Sequence, residues 1–157
     1  MKKELGEHYS DSYYNGQAED SFKSAQKVLE ILFDFYKPES VADFGCGRGA
    51  WLAASERLGA STLHGYDGNW VERDKLYSKK IIFTPINFEN NVEPIQKYDL
   101  AISVEVAEHV SEDKAENFID MICAAADVVI FGAAAKLQGG ENHINEQWQT
   151  YWVDKFK

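Results

Sequence analysis

The segment "VADFGCGRGAWL", residues 41–52, sets Gly45, Gly47 and Gly49 directly behind an apolar run. Glycine loses more conformational freedom on ordering than any other residue. Three of them in five positions imply a backbone that turns tightly and lets another molecule come close. A glycine-rich turn between a strand and a helix does this for nucleotide cofactors. Two templates fit the segment. Gly45, Gly47 and Ala50 satisfy the dinucleotide fingerprint GxGxxG or GxGxxA, whereas Asp43, Gly45, Gly47 and Gly49 satisfy GxGxG with an acid two residues ahead. Either template asks for a carboxylate at the end of the following strand, because one carboxylate can accept from two ribose hydroxyls. Asp67 in "HGYDGN" stands there, its plainer reading being a turn residue. Cys46 reads as a small side chain suited to a tight turn rather than a reactive thiol. Cys123 is distant and forms no CxxC pair with it, so neither a zinc knuckle nor a thioredoxin-type site is indicated.

Ionisable residues gather further along. Glu105, Glu108 and His109 lie in "SVEVAEHV". The plain readings are helix-start electrostatics for Glu108 and a hydrogen-bonded structural histidine for His109. Residues 139–148, "GGENHINEQW", join two glycines that permit a sharp loop to His143, Asn145, Glu146, Gln147 and Trp148. Polar groups and an aromatic crowded at the mouth of a sheet suit a small-molecule pocket. The plain alternative is a surface loop entering a helix capped by Asn145. His143 is the first candidate for a general base, since an unperturbed imidazole titrates near working pH, with Glu146 and His109 beside it. A metal site from His109, His143 and glutamates has no ligand spacing to support it, so no metal is expected.

These residues need elements to position them. The spacing of Phe22, Ala25, Val28, Leu29, Leu32 and Phe33 predicts a helix over residues 21–36, capped by Ser21 and ended before Pro38. "SVADFG", "TLHGYD", "KIIFTPI", "YDLAISV" and "DVVIFGAAA" read as five strands. Helices are expected over residues 49–60, stopped by Gly59, and over 111–126, capped by Ser111. A short one is expected within 69–76 and another over 145–156. Strands alternating with helices imply a parallel sheet covered on both faces. Ligands then bind at the carboxyl ends of the strands, where the strand order reverses, and the glycine loop follows the first strand.

Bulk composition narrows the partners. The 157 residues suit one domain, and 45% hydrophobic with 27% charged residues is a globular profile. A net charge of −10 disfavours a phosphate backbone, so no nucleic-acid partner is expected. The N-terminal residues lack the apolar stretch of a secretory signal, and the apolar run 128–135 is too short for a membrane span. No membrane partner and a cytoplasmic location are the expectation.

Four segments in order, "VADFGCGRGAWL", "HGYDGNWV", "PINFEN" and "YDLAISVEVAEHV", resemble the class I S-adenosylmethionine-dependent methyltransferases, over roughly residues 20–135. The tail "FGAAAKLQGGENHINEQWQTYW" looks like a bacterial subgroup of that family with ill-defined substrates. The resemblance implies an α/β fold, a three-layer, doubly wound, mostly parallel sheet with S-adenosylmethionine as cofactor. Asp43, Gly45, Cys46, Gly47 and Gly49 would surround its methionine end, with Arg48 as a possible partner of its carboxylate. Asp67 and Gly68 would hold the ribose, Asn87 would meet the adenine in place of the more usual Asp, and Phe88 and Trp70 would pack on the base. Val104 and Glu105, ending the fourth strand, would border the methyl-transfer site. The acceptor is then a small molecule, with His143, Glu146 and His109 as candidate catalytic residues. The family sheet normally has seven strands, whereas about five are read here. The uncovered edge is expected to be closed by a helical tail or by pairing with a second copy as a homodimer. Residues 1–20, with Tyr9, Tyr13 and Tyr14, are expected to form a lid or arm before a single core domain, 21–157. Two alternatives stay open: a non-catalytic cofactor-binding module, and an NAD-dependent oxidoreductase built on the same glycine pattern.

Overall fold

The computed structural model describes residues 11–90 and 96–157, with side chains from residue 21 onward. Five strands form one parallel sheet: β1 (Ser40–Phe44), β2 (Thr62–Asp67), β3 (Ile82–Pro85), β4 (Leu100–Val104) and β5 (Val129–Gly132). Among the described residues, four α-helices accompany them: α1 (Asp11–Phe33), α2 (Ala50–Arg57), α3 (Ala115–Ala125) and α4 (Gln149–Lys155). The strand order is β3-β2-β1-β4-β5. The chain therefore moves outward from β1 in one direction, returns, and moves outward in the other. Neighbouring registers include Asp43 with Gly65, Asp43 with Ile102, and Val104 with Gly132.

Alternation along each strand sorts side chains onto two faces. Val41, Leu63, Leu100 and Ile102 pack with Ala25, Leu29 and Phe33 of α1 and Leu52 and Ala54 of α2. Ala42, Phe44, Tyr66 and Ala101 pack with Phe118, Ile119 and Ile122 of α3 and Trp152 of α4. Each fully buried leucine or isoleucine adds roughly 1.5–3 kcal/mol relative to an exposed one. Gly65 is needed for close layering, because a Cβ there would lie 2.6 Å from the Cys46 sulfur. A polar chain crosses the second face without loose ends: His64 Nε2 meets the Thr84 hydroxyl at 2.8 Å, and Tyr98 Oη meets His64 Nδ1 at 2.7 Å and Tyr66 Oη at 2.7 Å.

The boundaries differ from expectation in four places. Helix α1 starts at Asp11, so Ser21 lies inside it and caps nothing. The single Gly16 before Ser21 costs about 1 kcal/mol in a helix, too little to stop it. Tyr13 and Tyr14 fall within α1, their side chains outside the described residues, and Tyr9 lies outside them altogether. Residues 69–76 hold only a 3₁₀ turn, Arg73–Lys75, since so short a run cannot offset the cost of helix nucleation. Ser111 does not cap α3: its amide and hydroxyl both donate to the Glu89 carboxylate, at 2.7 and 2.6 Å, and a 3₁₀ turn, Glu112–Lys114, intervenes. Helix α4 begins only after Trp148, and Asn145 is buried in the preceding loop. As a helical tail, α4 packs on edge strand β5, with Phe131 5.4 Å from Trp152 and 5.1 Å from Phe156, ring centre to ring centre.

Strands β1 and β4 are also tied at their entry. The Asp99 carboxylate accepts from the Glu39 amide at 3.0 Å and from the Ser40 amide and hydroxyl at 2.9 Å each. These donors hold its pKa below the usual carboxylate range, the Ser40 amide foremost. A lowered folded-state pKa adds stability above the unfolded pKa and loses it as pH falls through the folded value. Asp99→Ala is expected to cost about 1 kcal/mol at neutral pH, discounted for exposure of the site. The gap to the parent should close below about pH 4, as urea denaturation at the two pH values will measure.

Candidate active site

The strand order reverses between β1 and β4, so the loops that follow them open into one crevice. The glycine loop is the first wall. It is pinned to β2 by the Gly45 and Cys46 amides, which donate to the Tyr66 carbonyl at 2.7 and 3.1 Å. The Gly49 amide closes a turn onto the Cys46 carbonyl at 2.7 Å, and α2 starts immediately after. Gly45 (φ 88°) and Gly47 (φ 52°) sit in the left-handed region, for different reasons. A Cβ on Gly45 would overlap Val106, the residue that brings the β4 loop against this one; a Cβ on Gly47 would meet nothing within 4 Å. Gly47 is thus bare backbone facing open space, whereas Gly45 is packed.

Two acids stand beneath the loop. Asp43 is 2% exposed and its Oδ2 has no hydrogen-bond partner. Burial pushes its pKa well above the carboxylate range, and the nearby Asp67 adds to the rise. Asp67 ends β2 as expected, but its oxygens turn back onto the loop, accepting from the Gly47 amide at 2.7 Å and the Gly68 amide at 2.6 Å. Burial raises its pKa and those two amides oppose the rise. Each oxygen keeps a second lone pair for a ligand hydroxyl. Cys46 is buried, and burial lifts its thiol well above the ordinary value, in keeping with a packing role.

Of the residues expected near an adenine, Trp70 lies over Gly68 and is half exposed. Asn87 is exposed, its Oδ1 accepting from the Glu89 amide at 3.0 Å. Phe88 instead turns toward α3, edge-on to Phe118 at 5.0 Å.

The second wall follows β4. Val104 is half-buried, and Glu105 is exposed with φ 59°, an uncommon conformation for a non-glycine residue. Its amide bonds to the Gly132 carbonyl of β5 at 2.9 Å. The next turn, Ala107–His109, buries Glu108 completely. Helix-start electrostatics is therefore the wrong reading of Glu108. Neither of its carboxylate oxygens has a hydrogen bond of good geometry. Burial raises its pKa, opposed by its own amide; Glu105 adds to the rise, while His143 and the Ala134 amide oppose it.

The loop after β5 closes over this turn. The amides of Ile144 and Asn145 both donate to the Glu108 carbonyl, at 2.9 and 3.0 Å. The His143 ring stands edge-on to His109, with ring centres 5.0 Å apart, and its Nε2 is 3.9 Å from Glu108 Oε1. His143 Nδ1 donates to Glu146 Oε1 at 2.8 Å, and His109 Nδ1 donates to the Asn142 carbonyl at 3.1 Å. A carbonyl or carboxylate oxygen only accepts, so the proton of each neutral ring sits on Nδ1 and the lone pair on Nε2. Burial holds the His109 pKa below its ordinary value. Glu146 also accepts from the Leu137 amide at 3.0 Å, so it fixes both the loop and the His143 ring.

The structure thus brings His109, His143 and Glu146 together, adds Glu108, and lays their turn against the glycine loop through Val106. Glu108, named in the sequence but given only the helix-start reading, was not among the candidate catalytic residues. Its available signal was position, one residue before His109 and just beyond a strand that ends at the crevice.

Comparison with known proteins agrees with this layout. No curated protein matches the chain by sequence. Among solved structures, DhpI in complex with S-adenosylhomocysteine superposes with a TM-score of 0.66 at 19% identity, over 92% of this chain and 82% of that one. Human N-acetylserotonin methyltransferase in complex with S-adenosylmethionine gives 0.58 at 17% identity, over 98% and 53%. An O-methyltransferase family protein from Burkholderia thailandensis gives 0.57 at 14% identity, over 74% of this chain and only 39% of that one. At such identities the likeness is one of fold, the Rossmann-like sheet of methyltransferases. A sequence family described as a methyltransferase domain matches residues 15–155, from α1 to the end of α4. That span takes in the glycine loop, both acids beneath it and the histidine turn, and it decides between the two templates of the loop: the chain belongs to the methyltransferase domain family.

Proposed function

We propose that this chain transfers a methyl group from S-adenosylmethionine to a small-molecule acceptor bound in the crevice between the glycine loop and the loops after β4 and β5. The observation that carries this reading is the pairing of an open, side-chain-free Gly47 with the unpartnered Asp43 Oδ2 beneath it, beside a cluster of ionisable groups at the acceptor end. The residues present fit the cofactor. Gly45, Cys46, Gly47 and Gly49 supply main chain for its methionine end, and Asp43 supplies an acceptor for its ammonium group. Asp67 and Gly68 take the ribose, with Asn87 and Trp70 toward the base. Phe88, turned to α3, supports that side from behind. When bound, the cofactor supplies a methyl on a sulfonium, whose departing sulfur becomes neutral.

The protein's own contribution is alignment and exclusion of water. A hydroxyl or protonated amine must also lose its proton. His109, His143 and Glu146 are the groups placed to bring that about, the two rings at the acceptor end and Glu146 fixing the tautomer of His143. Val104 and Glu105, at the end of β4, would border the methyl-transfer site between the two ends.

Calorimetry with S-adenosylhomocysteine tests the reading directly: binding with one site per chain is expected, and binding of NAD in its place would overturn it. Gly47→Ala should weaken that binding at least tenfold while costing only about 1 kcal/mol of stability from the left-handed backbone. Gly45→Ala should lower the stability more, because it also displaces Val106. His143→Ala should leave S-adenosylhomocysteine affinity within about twofold and slow methyl transfer by about 10²–10⁴ once an acceptor is found by screening.

A further inference from the structure

Glu108, His109 and His143 each offer a ligand atom within 4.8 Å of the other two. We infer that this cluster is a divalent transition-metal site, with the Glu108 carboxylate and the Nε2 atoms of His109 and His143 as ligands. Three independent features support it. The donor set, two imidazoles and one carboxylate, is that of Zn²⁺, Mn²⁺, Fe²⁺ or Co²⁺ rather than of Mg²⁺ or Ca²⁺, which take oxygen ligands.

The second feature is the carboxylate. Glu108 is 0% exposed, and both its oxygens lack a properly formed hydrogen bond. A buried charge without a partner is costly, and a cation bound at the histidine side removes that cost. His143 Nε2 is 3.9 Å from Glu108 Oε1, too far for a hydrogen bond and near enough to share an ion.

The third feature lies behind the ligands. A metal-bound histidine characteristically donates its other ring nitrogen to a carboxylate or a carbonyl. His143 gives its Nδ1–H to Glu146 and His109 gives its own to the Asn142 carbonyl, at 2.8 and 3.1 Å. Both lone pairs are left on Nε2. Asn142 holds φ 59° to present that carbonyl, a conformation more accessible to asparagine than to most residues. Ligand atoms around a tetrahedral ion with bonds near 2.0 Å stand about 3.3 Å apart, so the His143–Glu108 pair, now 3.9 Å apart, closes slightly on loading. Glu105, exposed on the same turn, adds negative charge at the site.

The cation's role rests on the methyltransferase reading. Three protein ligands leave positions open, and in the proposed reading an acceptor in the crevice takes one of them. A hydroxyl oxygen of the acceptor bound there loses its proton to solvent more readily, as metal-bound water does, and its oxygen then takes the methyl. The acceptor is thereby an oxygen nucleophile, and His143 acts as a ligand rather than as a base.

The test uses the full chain stripped with EDTA and titrated with Zn²⁺, Mn²⁺ or Co²⁺ alone. One ion per chain is expected, with a Co²⁺ visible spectrum of mixed nitrogen and oxygen ligation. His143→Ala and Glu108→Gln should weaken binding about 100-fold or more, and Glu146→Ala about 10- to 100-fold as a positioning change, with circular dichroism confirming the fold. Should a variant fail to fold, Mn²⁺ broadening of imidazole resonances in the unaltered chain takes its place: loss of the His109 and His143 signals, with His64 spared, is expected. Absence of stoichiometric binding, full affinity in folded His143→Ala, or broadening confined to His8 or His64 overturns the site. Titration of the same metal-free protein with S-adenosylhomocysteine keeps the readings apart, because its failure would defeat the methyltransferase assignment while leaving the metal result standing.

Discussion

Parallel pairing of β1 with β4 is the constraint from which the site follows. Val41, Ala42 and Asp43 lie beside Leu100, Ala101 and Ile102, so two strands far apart in sequence end at the same level and point the same way. Helices leaving them go to opposite faces, α2 to one and α3 to the other. The loops after them cannot be covered by either helix layer, and the gap between them becomes a crevice. Val106 packs against Gly45 across this gap. Had β4 paired elsewhere, the glycine loop would face solvent and Glu108 would have no reason to be buried.

Acidic groups are the main expense of this arrangement. Asp43, Asp67 and Glu108 are all buried, and burial raises the pKa of each. Hydrophobic layers on both sides make such burial tolerable, since the layers stay closed whether or not the acids are satisfied. Asp67 is the best served, with two main-chain amides at hydrogen-bonding distance. Asp43 and Glu108 keep unpartnered oxygens, one on each wall of the crevice. Unsatisfied buried acids persist in folded proteins mainly where a ligand completes them. In the function proposed above the two walls divide the work, one toward the cofactor and the other toward the acceptor.

The loop from Ala133 to Trp148 shows how far a chain without regular structure can be fixed. Glu146 gathers the Leu137 amide and the His143 ring, and the Glu108 carbonyl takes the amides of Ile144 and Asn145. Positive φ values at Leu137, Gly139 and Asn142 mark the bends this requires. A loop so bound is a scaffold for its histidine, which suits a ring that must hold one orientation beside His109.

Reading the residues in order was enough for the alternating strands and helices, the glycine loop after β1 and the acid ending β2. These depend on patterns local in sequence: apolar runs of strand length, helical spacing, and glycines where the backbone must bend. Element starts were less legible, because Ser21, Ser111 and Asn145 have the chemistry of caps yet are drawn into an extended helix, a Glu89 contact and a buried loop. Such side chains serve whichever donor or acceptor the fold brings nearest. The sequence could raise a grouping of His109, His143 and glutamates but not support it, since nothing in sequence spacing joins position 109 to position 143. Parallel pairing of β4 with β5 and the folding back of the loop after β5 bring them together around Glu108. Local sequence determined which elements form and where the glycine loop lies. Only long-range strand pairing decided which acids are buried, which rings face each other, and hence what chemistry that wall of the crevice can do.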